Sequence, residues 1–326
     1  MKTKLLSPAF IPALAALFAF AVTAQAADEV QTFELDGINQ LKFSIAKSNV
    51  SIIGTDRSDI QLTLEKPFTG FDPEKVTQSV DRVGDTLVIE IEYEKSGKGW
   101  FWSSDNKGYS AANLIVPNEL VASIRTSGGN VTAEAINAPL TLNTSGGNIR
   151  AADISGRLDI KTSGGNIQLR HITGDTDAHT SGGNISVEGL AGAASVHTSG
   201  GNINIEGQIS SLKAHTSGGH INAHLQSQLI EPLVLKTSGG NVSATLDQGM
   251  TAPAELSTSG GSVSINLPRD QSFKIYAKSS GGHVSLDHGG SFNGSLSNKK
   301  IEGTVNGDGP LVKLSTHGGR VRISEI

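Results

Sequence analysis

The sequence predicts an all-β fold: a single-stranded β-solenoid, β-helix-like, with ~18-residue coils and a less regular amino-terminal β portion. Three observations predict it. The run Thr-Ser-Gly-Gly-Asn stands complete at Thr126–Asn130, Thr144–Asn148, Thr162–Asn166, Thr180–Asn184, Thr198–Asn202 and Thr237–Asn241. Near copies begin at Thr216, Thr258, Ser279 and Thr316; the first six starts, from Thr126 to Thr216, are 18 residues apart, the next three steps are 21 and the last is 37. Apolar residues alternate with polar ones on both sides of each copy, as in Leu158/Ile160 before and Ile167/Leu169 after, which is the period of a strand with one face inward. A unit this short, with two strands and two corners, cannot bury its own core, so the units must stack.

Met1–Ala26 reads as a signal peptide: Lys2 and Lys4, an apolar run from about Ala9 to Val22, then Ala24-Gln25-Ala26 as a small-x-small cleavage site. The apolar run is too short for a membrane anchor. The expected product is an exported, soluble chain, periplasmic or at the cell surface or secreted. It has no cysteine, so neither disulfides nor thiolate metal sites contribute. Loss of Lys2 and Lys4 leaves 24 basic against 31 acidic residues, a net charge of −7, which argues against nucleic acid and anionic lipid as partners.

Residues 27–125 form the irregular strands, continuous with the solenoid. Leu41/Phe43/Ile45, Val50/Ile52, Ile60/Leu62/Leu64 and Leu87/Ile89/Ile91/Tyr93 alternate as strands do, and Lys47-Ser48-Asn49 is a worn corner. Asp72–Val80 reads as a short helix or a polar loop. Lys95–Ser110 breaks the pattern and holds Trp100, Phe101, Trp102 and Tyr109 in a Gly/Ser/Lys setting. Two readings of this loop stay open: a cap over the end of the apolar column, or an exposed aromatic platform for a glycan, an envelope component or a protein.

Residues 126–326 are the repeat solenoid. Its corners are expected at Gly128-Gly129-Asn130, Gly146-Gly147-Asn148, Gly164-Gly165-Asn166, Gly182-Gly183-Asn184 and Gly200-Gly201-Asn202, the glycines supplying positive φ for a sharp turn. Stacked Asn side chains would bond from coil to coil. The 37-residue step from Ser279 to Thr316 reads as about two coils, the middle one lacking the motif.

The worn turn at Ser48-Asn49, the strand Asp85–Ile91, Leu114-Ile115-Val116-Pro117, the repeat series and the ending Gly309–Val321 together resemble a family of exported bacterial β-strand-repeat domains known as "putative adhesins", of unknown function. The resemblance implies a β-helix-like fold and adhesin-like binding, and brings no catalytic residues or cofactor.

Three functions are expected in order. The first is an exported, non-catalytic, adhesin-like binding or structural protein of the cell envelope. The second is divalent-metal binding by His179, His197 and His215, which share the position before the corner in consecutive coils. The third is a polysaccharide-active enzyme using neighbouring acids, Asp159 with Asp177 or Glu188 with Glu206. No acid follows the Gly-Gly pairs, which counts against calcium, and no phosphate loop or dinucleotide fingerprint is present.

Overall fold

The computed structural model describes residues 28–67, 71–94 and 108–326. The expected signal peptide and the three aromatic residues Trp100, Phe101 and Trp102 lie outside them.

Each coil carries one strand before its corner and one after it. The strands before the corners form a leading sheet, those after them a trailing sheet, and the two sandwich a single apolar column. In the Thr144 and Thr162 coils the leading strands Leu140–Thr144 and Leu158–Lys161 pair in parallel, Leu140 opposite Leu158 and Leu142 opposite Ile160. The trailing strands Ile149–Ser155 and Ile167–Thr173 pair in the same way. The alternation expected from the sequence holds: Leu142, Ile149, Leu158, Ile167 and Ile172 are fully buried, while Thr132, Arg150, Gln168, Ser186 and Asn204 between them face out. Burial of branched side chains at about 25 cal/mol per Å² of apolar surface is what holds neighbouring coils in register. Slipping by one residue would expose every one of them.

The return turn carries the backbone irregularity. At the ninth residue after the corner Thr the trailing strand bulges, and Ala135, Asp153 and His171 stand there with φ of 59°, 55° and 51°. Pairing skips this residue, running Ala152–Arg170 and then Ile154–Ile172. The next coil uses Gly189 at the same place with φ of 70°. A left-handed conformation costs an L-residue about 1–2 kcal/mol. Replacement of Ala135 by Gly is therefore expected to stabilise the protein by up to about 1 kcal/mol after glycine's own entropy cost, read as a raised denaturant midpoint.

The amino-terminal strands continue the solenoid but not in chain order. Gln40–Ile45 and Asn49–Thr55 form a coil around Ser48, which lies directly against the Thr126 coil. The coil formed by Thr86–Tyr93 and Ala111–Pro117 stacks outside it. Antiparallel strands close this end: Asp59–Glu65 and then Glu29–Glu34 on the trailing sheet, Val76–Val83 on the leading sheet. Asp72–Val80 is thus neither a helix nor a loop throughout. Pro73–Lys75 makes one 3-10 turn, and Val76–Val83 is a strand paired with Thr86–Tyr93 across Gly84, whose φ is +66°. As the outermost strand it is largely solvated, so its sequence lacks strong alternation.

The opposite end shows the same exchange of order. Leu311–Thr316 and Val321–Glu325 are inserted between the Thr258 coil and the Ser279 coil, pairing in parallel with both. The 37-residue step does not hold an extra stacked coil. It holds an antiparallel hairpin, Phe292–Leu296 with Lys300–Val305, laid on Phe273–Ser279 at the end of the leading sheet. Ile301 and Val305 are fully buried there, whereas Phe292–Leu296 is a mostly exposed edge strand. Among the described residues no helix is long and apolar enough to cross a membrane.

Candidate functional site

The corners form a continuous column. Each Thr hydroxyl is buried, donates to the carbonyl of the second glycine in the preceding coil at 2.8 Å, and accepts the N–H of its own second glycine at 3.3–3.4 Å, as at Thr144, Thr162, Thr180 and Thr198. Each Asn side-chain carbonyl accepts the backbone N–H of the matching residue one coil on, from Asn49 and Asn130 through Asn202, at 2.7–2.9 Å. His220 takes over in the Thr216 coil, its Nδ1 accepting from the N–H of Asn241 at 2.9 Å. The Ser side chains and the outer face of the Asn ladder remain solvated.

The glycines of these corners are not where positive φ occurs; none of Gly128, Gly129, Gly146, Gly147, Gly164 or Gly165 adopts it. The reason for glycine is close stacking. A Cβ on Gly165 would lie 1.9 Å from the carbonyl oxygen of Gly147, and one on Gly183 equally close to Gly165. The first glycine is different: a Cβ on Gly164 would meet nothing nearer than 3.5 Å.

His179, His197 and His215 stack as one column on the outer face of the leading sheet. Ring centroids are 4.9 and 5.1 Å apart with interplanar angles of 4° and 14°. Burial lowers the His197 and His215 pKa values below the ordinary imidazole range, and the neighbouring ring charge adds to this. These rings do not converge on a metal. Imidazole lone pairs lie in the ring plane, and parallel planes do not meet, so two stacked rings cannot aim at one ion. Among the described residues no group of three or more His, Asp or Glu is arranged to hold one.

The acids expected for a glycosidase do lie in register, Asp159 opposite Asp177 and Glu188 opposite Glu206. Asp159 is held by Arg157 through two contacts of 3.1 Å, and Glu188 lies 3.6 Å from Arg170. The Asp159 pairing raises the Arg157 pKa. Both acid pairs stand on open faces.

Of the aromatic residues singled out in the sequence, Tyr109 is described. Tyr109 is buried, at 8% exposure, with its hydroxyl donating to Glu29 at 2.7 Å and its ring 5.0 Å from Phe71. Its N–H donates to the Tyr93 hydroxyl at 3.1 Å, which also contacts Ser48 at 2.9 Å. Burial, and then the Glu29 carboxylate, push the Tyr109 phenol up, and burial does the same to Tyr93. Tyr109 is thus a structural anchor and not part of an exposed platform. The described ends of the loop, Glu94 and Gly108, follow a leading strand and precede a trailing one.

Sequence reasoning missed Thr176, Asp177, Ser195 and Lys213 as one set. They line a shallow trough of about 220 Å³ beside the histidine column, together with Arg157, Asp175 and small residues. The signal was present: Thr176 is polar at an inward position that Leu140, Leu158, Leu212 and Leu233 occupy in other coils.

Stacked two-strand coils, a saturated corner column and antiparallel caps define a β-solenoid repeat protein. The Toastrack model (DUF4097) matches residues 38–324, and the chain belongs to that family. Among solved structures it is similar to a "putative cell adhesion protein" from Clostridium sporogenes, with 12% identity over 92% of this chain and 99% of that one and a TM-score of 0.26. It is also similar to a "putative adhesin" from Bacteroides fragilis, with 12% identity over 94% of this chain and 100% of that one and a TM-score of 0.36. No curated protein matches the chain.

Proposed function

We propose that the protein is an exported, non-catalytic, adhesin-like binding protein of the cell envelope, whose rigid ladder holds a glycan. The observation that carries this reading is the corner column. Its Ser and Asn side chains recur coil after coil at one strand spacing, the Asn side chains fixed by hydrogen bonds to the backbone. A surface that repeats a polar group at fixed intervals complements a ligand that repeats itself, and a preformed surface loses little entropy on binding.

In this reading Trp100, Phe101 and Trp102 of the Lys95–Ser110 segment supply the ring faces on which sugars stack. The test is binding of the mature chain to a glycan panel and to isolated envelopes, with wild type beside the Trp100→Ala/Trp102→Ala variant. Tyr109 is left intact because it anchors the fold. The variant is expected to lose affinity at least tenfold. Equal binding by both forms removes the loop from the site. Export is tested separately by fractionating cells that express the full chain.

A further inference from the structure

We infer that the outer face of the leading sheet over the Thr180, Thr198 and Thr216 coils is a saccharide subsite, formed by Asp177, His179, Ser195, His197, Lys213 and His215. The inference rests on the glycan-binding reading and adds a contact on the sheet face beside the corner column.

These residues form two columns across three strands, Asp177–Ser195–Lys213 beside His179–His197–His215. None of the six makes a side-chain hydrogen bond or ion pair with another described residue. One coil before, Asp159 is gripped by Arg157. One coil after, Lys236 is held by Glu255 at 2.9 Å. On the trailing sheet, outward groups pair with one another: Arg150 with Gln168 at 3.0 Å and His224 with Asp247 at 2.9 Å. A run of outward polar groups with no internal partners is a surface whose hydrogen bonds are available to a ligand.

A second observation is independent of this one. Thr176, with 3% exposure, lines the trough beside Asp177, Ser195 and Lys213. Its hydroxyl is the buried side-chain oxygen without a hydrogen-bond partner among the described residues. Leaving a buried hydroxyl unpaired costs about 1–3 kcal/mol.

The chemistry of the set points to hydroxyl groups. Asp177 accepts, Lys213 donates and Ser195 does both. Burial lowers the His197 and His215 pKa values and the charge of the preceding ring adds to this, which favours the neutral imidazole with one donor and one acceptor. The carboxylate and the ammonium balance, so neither a polyanion nor a cation is selected. Stacked ring planes that cannot share one ion can each address a successive group along a chain. Three strands span roughly 10 Å, so the ligand is a short run of a neutral sugar chain lying across the coils.

The test uses the full mature chain and three probes: β-1,4-linked gluco-oligosaccharide, chito-oligosaccharide and oligogalacturonate. NMR follows the imidazole signals of His179, His197 and His215, and calorimetry follows affinity in wild type and in the Asp177→Ala/Lys213→Ala variant. Both substituted residues are exposed, so the variant is expected to fold with an unchanged melting temperature. A neutral oligosaccharide should move the ring signals, and the variant should bind it at least tenfold more weakly. Binding with unmoved ring signals and unaltered affinity in the variant would overturn the subsite while leaving the glycan-binding reading intact. Binding of oligogalacturonate alone would overturn the ligand class. Failure of wild type to bind any glycan or envelope would sink both.

Discussion

Substitution of Gly165 by Ala is expected to destabilise the protein by about 3 kcal/mol or more, while the same change at Gly164 stays within about 1 kcal/mol. The two residues are adjacent, share a corner and are both glycine, so propensity cannot separate them. The stack does. A methyl on Gly165 would lie 1.9 Å from a backbone oxygen of the preceding coil, and that oxygen cannot retreat without parting two strands. A methyl on Gly164 meets the corresponding atoms of Gly146 at 3.5 Å and beyond, which is ordinary contact. Paired urea titrations measure both. Equal losses at the two positions would mean that turn conformation, and not close approach, sets the demand for glycine.

Thr180→Val should cost about 2–4 kcal/mol although it preserves shape. The hydroxyl of Thr180 is fully buried and bonds in two directions, donating to Gly165 and accepting from Gly183. Valine strands a carbonyl and an N–H together, each with a desolvation cost of about 1–3 kcal/mol. Thr180→Ser keeps both bonds and should lose under about 1.5 kcal/mol, through one deleted methyl. The protein already contains this substitution: Ser279 makes the equivalent bonds to Gly319 and Gly282 at 2.7 and 2.9 Å. Denaturant midpoints for the Val and Ser variants, read side by side, separate the hydroxyl from the packing.

Much of this was legible in the residue order. The 18-residue interval gave the coil, and alternation told inward from outward at Leu158, Ile160, Ile167 and Leu169. It placed the three histidines on one outward column before any coordinate was known. Three things were hidden for physical reasons. The demand for glycine at the corner arises between coils, so a single repeat shows only a turn. The ends were misread because Val312/Leu314 fits against any coil of the rod equally well; periodicity fixes the face of a strand but not its neighbour. At the candidate subsite, the columns could be written down from spacing. That their members lack partners could not, because pairing depends on which side chains reach each other across strands. The anchoring of Tyr109 was hidden in the same way, since Glu29 lies 80 positions away in the chain.

The exchanged order of coils at the carboxy-terminal end bears on how the rod is completed. Leu311–Glu325 occupies a slot between two coils that leave the ribosome before it. Zipping in the order of synthesis can run as far as the Thr258 coil and must then halt. The Ser279 coil and its hairpin have no finished surface to dock on until the later segment arrives. That segment behaves as a keystone: a nascent chain stopped at residue 310 would lose an interior course of the wall and leave its coping stones unsupported.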